Sequence, residues 1–203
     1  MAPPSAKYLP ADARRAETVE AVISLAAERN PGDITTAAIA KRLGLTQGAL
    51  FRHFPNKDAI LEAVMAWVTD RLLSRIEAAM AGAATPLAAM EAAFLAHAAF
   101  VSEHPGVPRM LFGELQRSED TAAKRLVRTL LARYRERLAR LVEQGKQEGD
   151  IAADVDTGVA LSGFIGTLQG LVIQSLLSGE PGRIREGAPA AFALYRRGLR
   201  SDA

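Results

Sequence analysis

The chain has 203 residues, about half of them apolar and a quarter charged, with a net charge of +2 and no cysteine. That composition fits one folded domain, or a small module joined to a larger one, and excludes disordered and fibrous chains. It also rules out disulfide scaffolds, thiol catalysis and cysteine-containing metal sites. The apolar run Val155–Leu177 is broken by Asp156, Ser162, Gln169 and Gln174, and the first residues lack a basic-then-apolar signal. The expectation is a cytoplasmic protein with no membrane span.

Apolar and alanine-rich segments recur at helical spacing from Asp12 to Arg200, without the Val/Ile/Thr alternation of strands, so the fold class is all-α. The first helix is predicted over Asp12–Arg29 and stops at Asn30-Pro31-Gly32. Thr35 or Thr36 caps a short helix to Leu43, Gly44 ends it, and Thr46 caps another to Phe54. A long helix follows from Lys57 to Ala81, then helices over Pro86–Glu103, Pro108–Gln116 and Glu119–Glu148, with His104-Pro105-Gly106 as a turn. The last two are placed at Asp156–Ser178 and Ala188–Leu199, across a Gly/Pro-bearing loop. About nine helices result: a three-helix head, residues 1–55, and a larger helical body, residues 56–203.

Charge is unevenly spread. Residues 1–60 hold eight Lys/Arg against six Asp/Glu, while residues 61–203 hold seventeen of each. Within the head, Ile34–Lys57 carries Lys41, Arg42, Arg52 and Lys57 and no acid, a local basic field suited to a polyanion. The same stretch has the build of a helix-turn-helix. Ile39 and Ala40 face inward, Gly44 supplies the turn, Leu45 plugs the joint, and Leu50 and Phe54 anchor the second helix. Gln47, Gly48, Ala49, Phe51, Arg52 and His53 are left for the outer face that a major groove would meet. Spacing alone leaves a purely structural helix pair open.

The run from Val19 through Lys57, ending Phe51-Arg52-His53-Phe54-Pro55-Asn56-Lys57, resembles the TetR family of bacterial transcriptional regulators. The resemblance implies that Thr35, Thr36, Thr46, His53 and Lys57 touch phosphates. It implies that Gln47 reads a base edge, adenine being the natural partner of an amide, that Ala49 meets a thymine methyl, and that Gly48 lets the backbone approach. Phe51 stands where the family usually has Tyr, which removes one phosphate hydrogen bond, and Asn30 stands where Gly is usual. The partners implied are a double-stranded DNA operator, a second copy of the chain in a homodimer, and a small-molecule effector.

The body offers candidates for the last two. Trp67, Arg71, Met90, Phe94, His97, Val101, Met110, Leu111 and Phe164 mix apolar bulk with a few polar heads, as ligand pockets do, and predict a largely apolar effector with a polar or anionic end; each alone reads equally as core. Gly163, Gly166 and Gly170, with Ala160 and Thr167 beside them and Phe192 and Tyr195 on the last helix, suggest a dimer face. Glycine costs about 1 kcal/mol per helix position relative to Ala, so close approach of another backbone must offset it; packing on Pro86–Glu103 is the alternative. Lys124–Arg140 reads as an amphipathic helix with a wet basic face. No phosphate loop, nucleophile elbow, carboxylate pair or metal-ligand set stands out, so neither an enzyme nor a cofactor is expected. The function read from the chain is a sequence-specific, ligand-responsive repressor. The alternative is an architectural DNA binder of the nucleoid-occlusion kind whose body engages a protein partner.

Overall fold

The computed structural model describes residues 10–200, and every regular element among them is helical. The helices are α1 (Ala11–Glu28), α2 (Thr36–Arg42), α3 (Gln47–Phe51), α4 (Lys57–Met80), α5 (Pro86–Glu103), α6 (Gly106–Leu115), α7 (Ala122–Glu148), α8 (Thr157–Ser178) and α9 (Gly182–Arg197), with a 3-10 turn at Pro31–Asp33. Short polar side chains set several of the starts. Thr35 Oγ1 accepts from the Ala38 amide at 3.1 Å, Thr46 Oγ1 from that of Ala49 at 3.1 Å, and Asp156 Oδ1 from that of Val159 at 2.7 Å. Each satisfies one of the orphan amides of a first turn.

α3 ends at Phe51, short of the expected Phe54, and three helix starts move by two residues or more from the sequence reading. α7 begins at Ala122, because Thr121 Oγ1 accepts from the Lys124 amide at 3.1 Å. α6 begins at Gly106, two residues before Pro108, which a first turn tolerates since its N–H would be unpaired there. α9 begins at Gly182 and carries Pro189 inside it. Ile184, Ala188 and Phe192, spaced four residues apart, form a stripe buried at 2 %, 1 % and 0 % exposure, and that burial outweighs the backbone bond lost at the proline. The Gly/Pro loop shrinks accordingly to the residues between α8 and α9.

The chain forms two compact units, and these cut across the expected boundary at residue 55. One comprises residues 10–69 with 104–127, the other 70–103 with 128–200. In the first, α1 packs on α2 and α6, α2 on α3, and α6 on the 3-10 turn. Its interior holds Val22, Leu25, Ile39, Leu50, Phe54 and Ile60. Gly106 is required there: a Cβ at that position would lie 2.1 Å from the Ile23 carbonyl oxygen and 2.9 Å from the Ala27 nitrogen, so α6 starts directly on the backbone of α1.

In the second unit α9 packs on α5 and α8, and α5 on α8. Its centre is aromatic. Phe94, Phe164 and Phe192 are fully buried, with Phe94 edge-on to Phe164 at 5.2 Å and tilted against Phe192 at 5.4 Å. The Asp150 carboxylate accepts from the Leu87 amide at 2.8 Å and so closes the start of α5. By length and composition α8 is apolar enough to cross a membrane, but Leu161, Phe164, Leu168 and Val172 are buried within the unit.

Candidate nucleic-acid interface

The turn between α2 and α3 is built on Gly44, whose φ of +64° falls in the left-handed region that glycine enters without a Cβ penalty. The Leu45 amide then donates to the Ala40 carbonyl at 2.8 Å. Ile39, Ala40 and Leu50 are buried beneath this joint, and Phe54 is fully buried behind it. Thr46, Gln47 and Gly48 are exposed at the start of α3, with Phe51 and Arg52 exposed at its end; Ala49 and His53 are half-buried. Gln47 Nε2 donates to Thr36 Oγ1 at 3.0 Å, which ties the exposed amide of α3 to the start of α2 and leaves Oε1 and one N–H for a ligand. Thr35 is exposed, and its hydroxyl oxygen is engaged as the cap of α2. After α3, Asn56 Oδ1 accepts from the Ala59 amide at 2.8 Å and opens α4, placing Lys57 in its first turn.

Two arginines stiffen this face in ways the sequence did not reveal. The Arg15 guanidinium lies 4.4 Å from the centre of the Phe54 ring and donates to the His53 carbonyl at 2.6 Å. Arg42 donates to Ser24 Oγ at 2.9 Å and pairs with Glu28 at 2.5 Å. The hydrogen bond from Arg42 lowers the Glu28 pKa and raises that of Arg42. Arg42 therefore joins α2 to α1.

The residues expected to form a pocket fall in both units. Trp67, half-buried, stands edge-on to His104 at 5.2 Å; Met110 is buried and Leu111 half-buried. Arg71 is exposed, and a guanidinium left in water avoids the desolvation penalty of a buried one, so it offers no interior cation. Met90, Phe94 and Phe164 are fully buried and Val101 nearly so. His97 Nδ1 and the Tyr134 hydroxyl, on rings 5.6 Å apart, are sealed from solvent and have no hydrogen-bond partner among the described residues. Burial pushes the His97 imidazole down to about 4 and the Tyr134 phenol far up.

The expected dimer face divides as well. Phe192 and Ala160 are interior to their own chain, and Tyr195 is half-buried, its hydroxyl donating to the Ala160 carbonyl at 2.8 Å. A Cβ on Gly163 would meet Tyr195 Cε2 at 3.3 Å, so this glycine makes room for a neighbour in the same chain. Gly166 and Gly170 meet nothing within 4 Å. With Val159, Ile173 and Leu177, exposed at 71 %, 41 % and 76 %, they form one uncovered stripe of α8. Packing of those two glycines on α5 is thereby excluded.

Comparison with known proteins accords with this geometry. The family model for bacterial regulatory proteins of the tetR family matches residues 19–64, and that for the tetracyclin repressor-like C-terminal domain matches residues 113–191. The chain belongs to the TetR family. Members are DNA-binding regulators, and the α2–α3 pair is the helix-turn-helix of this one.

The nucleoid occlusion factor SlmA of Vibrio cholerae is 27 % identical over 77 % of this chain and 81 % of its own length. SlmA of Idiomarina loihiensis is 27 % identical over 81 % and 84 %. Among solved structures, the ketosteroid transcriptional regulator KstR2 of Mycobacterium tuberculosis superposes with a TM-score of 0.77 at 21 % identity, covering 93 % of this chain and 96 % of that one. FadR of Bacillus subtilis, in complex with stearoyl-CoA, gives 0.78 at 19 %, covering 91 % and 99 %. At these identities the structural likeness is one of fold. It extends the TetR arrangement of an N-terminal helix-turn-helix head and a helical body to nearly the whole chain.

Proposed function

We propose that this TetR-family protein is a homodimeric, sequence-specific repressor that leaves DNA when a small molecule occupies its body. The observation that carries the DNA-reading part is the exposed start of α3, where Gln47 projects from the first turn and is anchored on Thr36. Anchoring lowers the entropy lost when the amide meets a base edge. Thr35, Thr36, Thr46, His53 and Lys57 supply phosphate contacts that set register, Gly48 and Ala49 allow close approach, Phe51 packs on sugar or methyl groups, and Arg52 adds charge at the rim. The uncovered stripe of α8 supports dimerisation, and two linked recognition helices about 34 Å apart enter successive major grooves. The unpartnered His97 and Tyr134 support an effector with a polar group in an apolar body. Because α4 is unbroken from Lys57 to Met80, a tilt imposed on it is delivered to its first turn.

The test is to select duplexes from a random library and compare them with unselected DNA. Gln47→Ala should weaken binding to selected duplexes by about 1 to 3 kcal/mol and leave unselected DNA unchanged. Equal losses on both would remove Gln47 from readout. The SlmA similarity favours a second reading, a nucleoid-occlusion role in which the body binds a protein. An effector that releases DNA decides against it.

A further inference from the structure

Thr36 and Gln47 are the first residues of α2 and α3, eleven positions apart, and the turn at Gly44 brings them together. The 3.0 Å bond from Gln47 Nε2 to Thr36 Oγ1 is the one hydrogen bond that either side chain makes among the described residues. It determines what each has left. A glutamine amide carries one acceptor oxygen and two N–H donors, so Gln47 keeps Oε1 and one N–H; a threonine hydroxyl both donates and accepts, so Thr36 keeps its proton. The same pair has a second arrangement, with the amide turned over, the hydroxyl donating to Oε1 and both N–H groups facing outward. The two arrangements suit different bases. One acceptor beside one donor matches adenine, which donates from N6 and accepts at N7, whereas two donors match guanine, which accepts at both O6 and N7.

We propose that Thr36 is a specificity-determining residue, the one that makes Gln47 a reader of adenine and not of guanine. This role rests on the two contacts proposed above, Gln47 on a base edge and Thr36 on a phosphate. Phosphate oxygens only accept, so the proton of a Thr36 hydroxyl docked on the DNA backbone is spent there. Its oxygen then has only lone pairs to offer Gln47, and the amide is held with Nε2 toward Thr36 and Oε1 free for the base. A guanine in the same place sets its acceptors against that carbonyl oxygen and leaves them unpaired, which is costly in a desolvated contact. A phosphate bond by itself fixes register and reads no sequence. Through Thr36 it also sets the polarity of the group that does the reading. Thr35 plays no such part, because its oxygen is the cap of α2.

The experiment uses the full chain and duplexes selected from a random library, and compares adenine with guanine at the base pair whose preference Gln47→Ala flattens. The wild type should favour adenine there by about tenfold or more. Thr36→Val, which keeps the branched shape and removes the hydroxyl, should lower that ratio to about twofold or less, and Thr36→Ala should do the same. Thr36→Ser should restore it. Loss of a phosphate bond weakens all duplexes alike, so the ratio reports the amide and not the phosphate. Uniform weakening with the adenine preference intact in Thr36→Val and Thr36→Ala would overturn the role and leave Thr36 as a phosphate contact alone. A wild-type preference for guanine at that base pair would overturn it while keeping Gln47 as a reader. If Gln47→Ala retains every base preference of the wild type, Gln47 is not a reader and the role of Thr36 falls with it.

Discussion

Gly106 and Gly170 are both helical glycines, and they answer opposite needs. At Gly106 the missing side chain is replaced by the chain's own backbone, whereas at Gly170 nothing fills the space. The surroundings repeat the contrast. Around Gly106 the capping hydroxyls and arginines find partners inside the chain; around Gly170 the chain leaves an apolar stripe uncovered, and deeper in the same unit two polar atoms go unpaired. One glycine is filled from within its own unit, while the other stands on a face of α8 that its own unit leaves open.

The most severe way to test this is to fill Gly106. Gly106→Val should destabilise the protein by about 3 kcal/mol or more, since the colliding atoms are backbone and cannot rotate away; thermal melting reads it. Next comes acid. His97 titrates near 4 in the fold instead of 6.5, so stability is unaffected above pH 6.5 and falls as pH drops from there toward 4, when only the unfolded chain takes the proton. The loss approaches roughly 3 kcal/mol, and His97→Phe should remove that part of the slope in urea titrations at pH 7 and pH 5.

A smaller change in folding and a large one in assembly are expected at Gly170→Leu. Monomer stability should shift by no more than about 1 kcal/mol, while sedimentation shows a move from dimer toward monomer. A variant that stays dimeric, or that unfolds as Gly106→Val does, would erase the contrast between the two glycines. The smallest effect is at a cap: Thr46→Ala should cost about 1 kcal/mol, read as the drop in melting temperature, because its bond to the Ala49 amide is local and complete.

Local chemistry explains what could be read from the residues. The nine helices among the described residues, their order, the capping threonines and the Gly44 turn follow from periodicity and from side chains acting on amides two or three positions away. The start of α9 did not, because Pro189 reads as a beginning until Ile184, Ala188 and Phe192 are seen buried together. Gly106 looked like part of a turn, since its need is a carbonyl more than eighty residues earlier. The expected pocket and dimer face joined residues by type and spacing, and neither the exposure of Arg71 in the first nor the enclosure of Phe192 in the second has a signature in spacing.

The interleaving of the two units also governs how the protein is made. Translation delivers residues 10–69 first, but the unit they belong to is missing α6 until residues 104–127 have left the ribosome. Until then the backbone of α1 that Gly106 contacts lacks its cover. The second unit waits longer, because Phe94 emerges well before Phe164 and Phe192, the partners that enclose it. Nascent chains of this protein therefore carry exposed aromatic surface for nearly half of their synthesis, the kind of surface that chaperones bind, and a fragment ending at residue 55 would hold the helix-turn-helix without the helix that closes it.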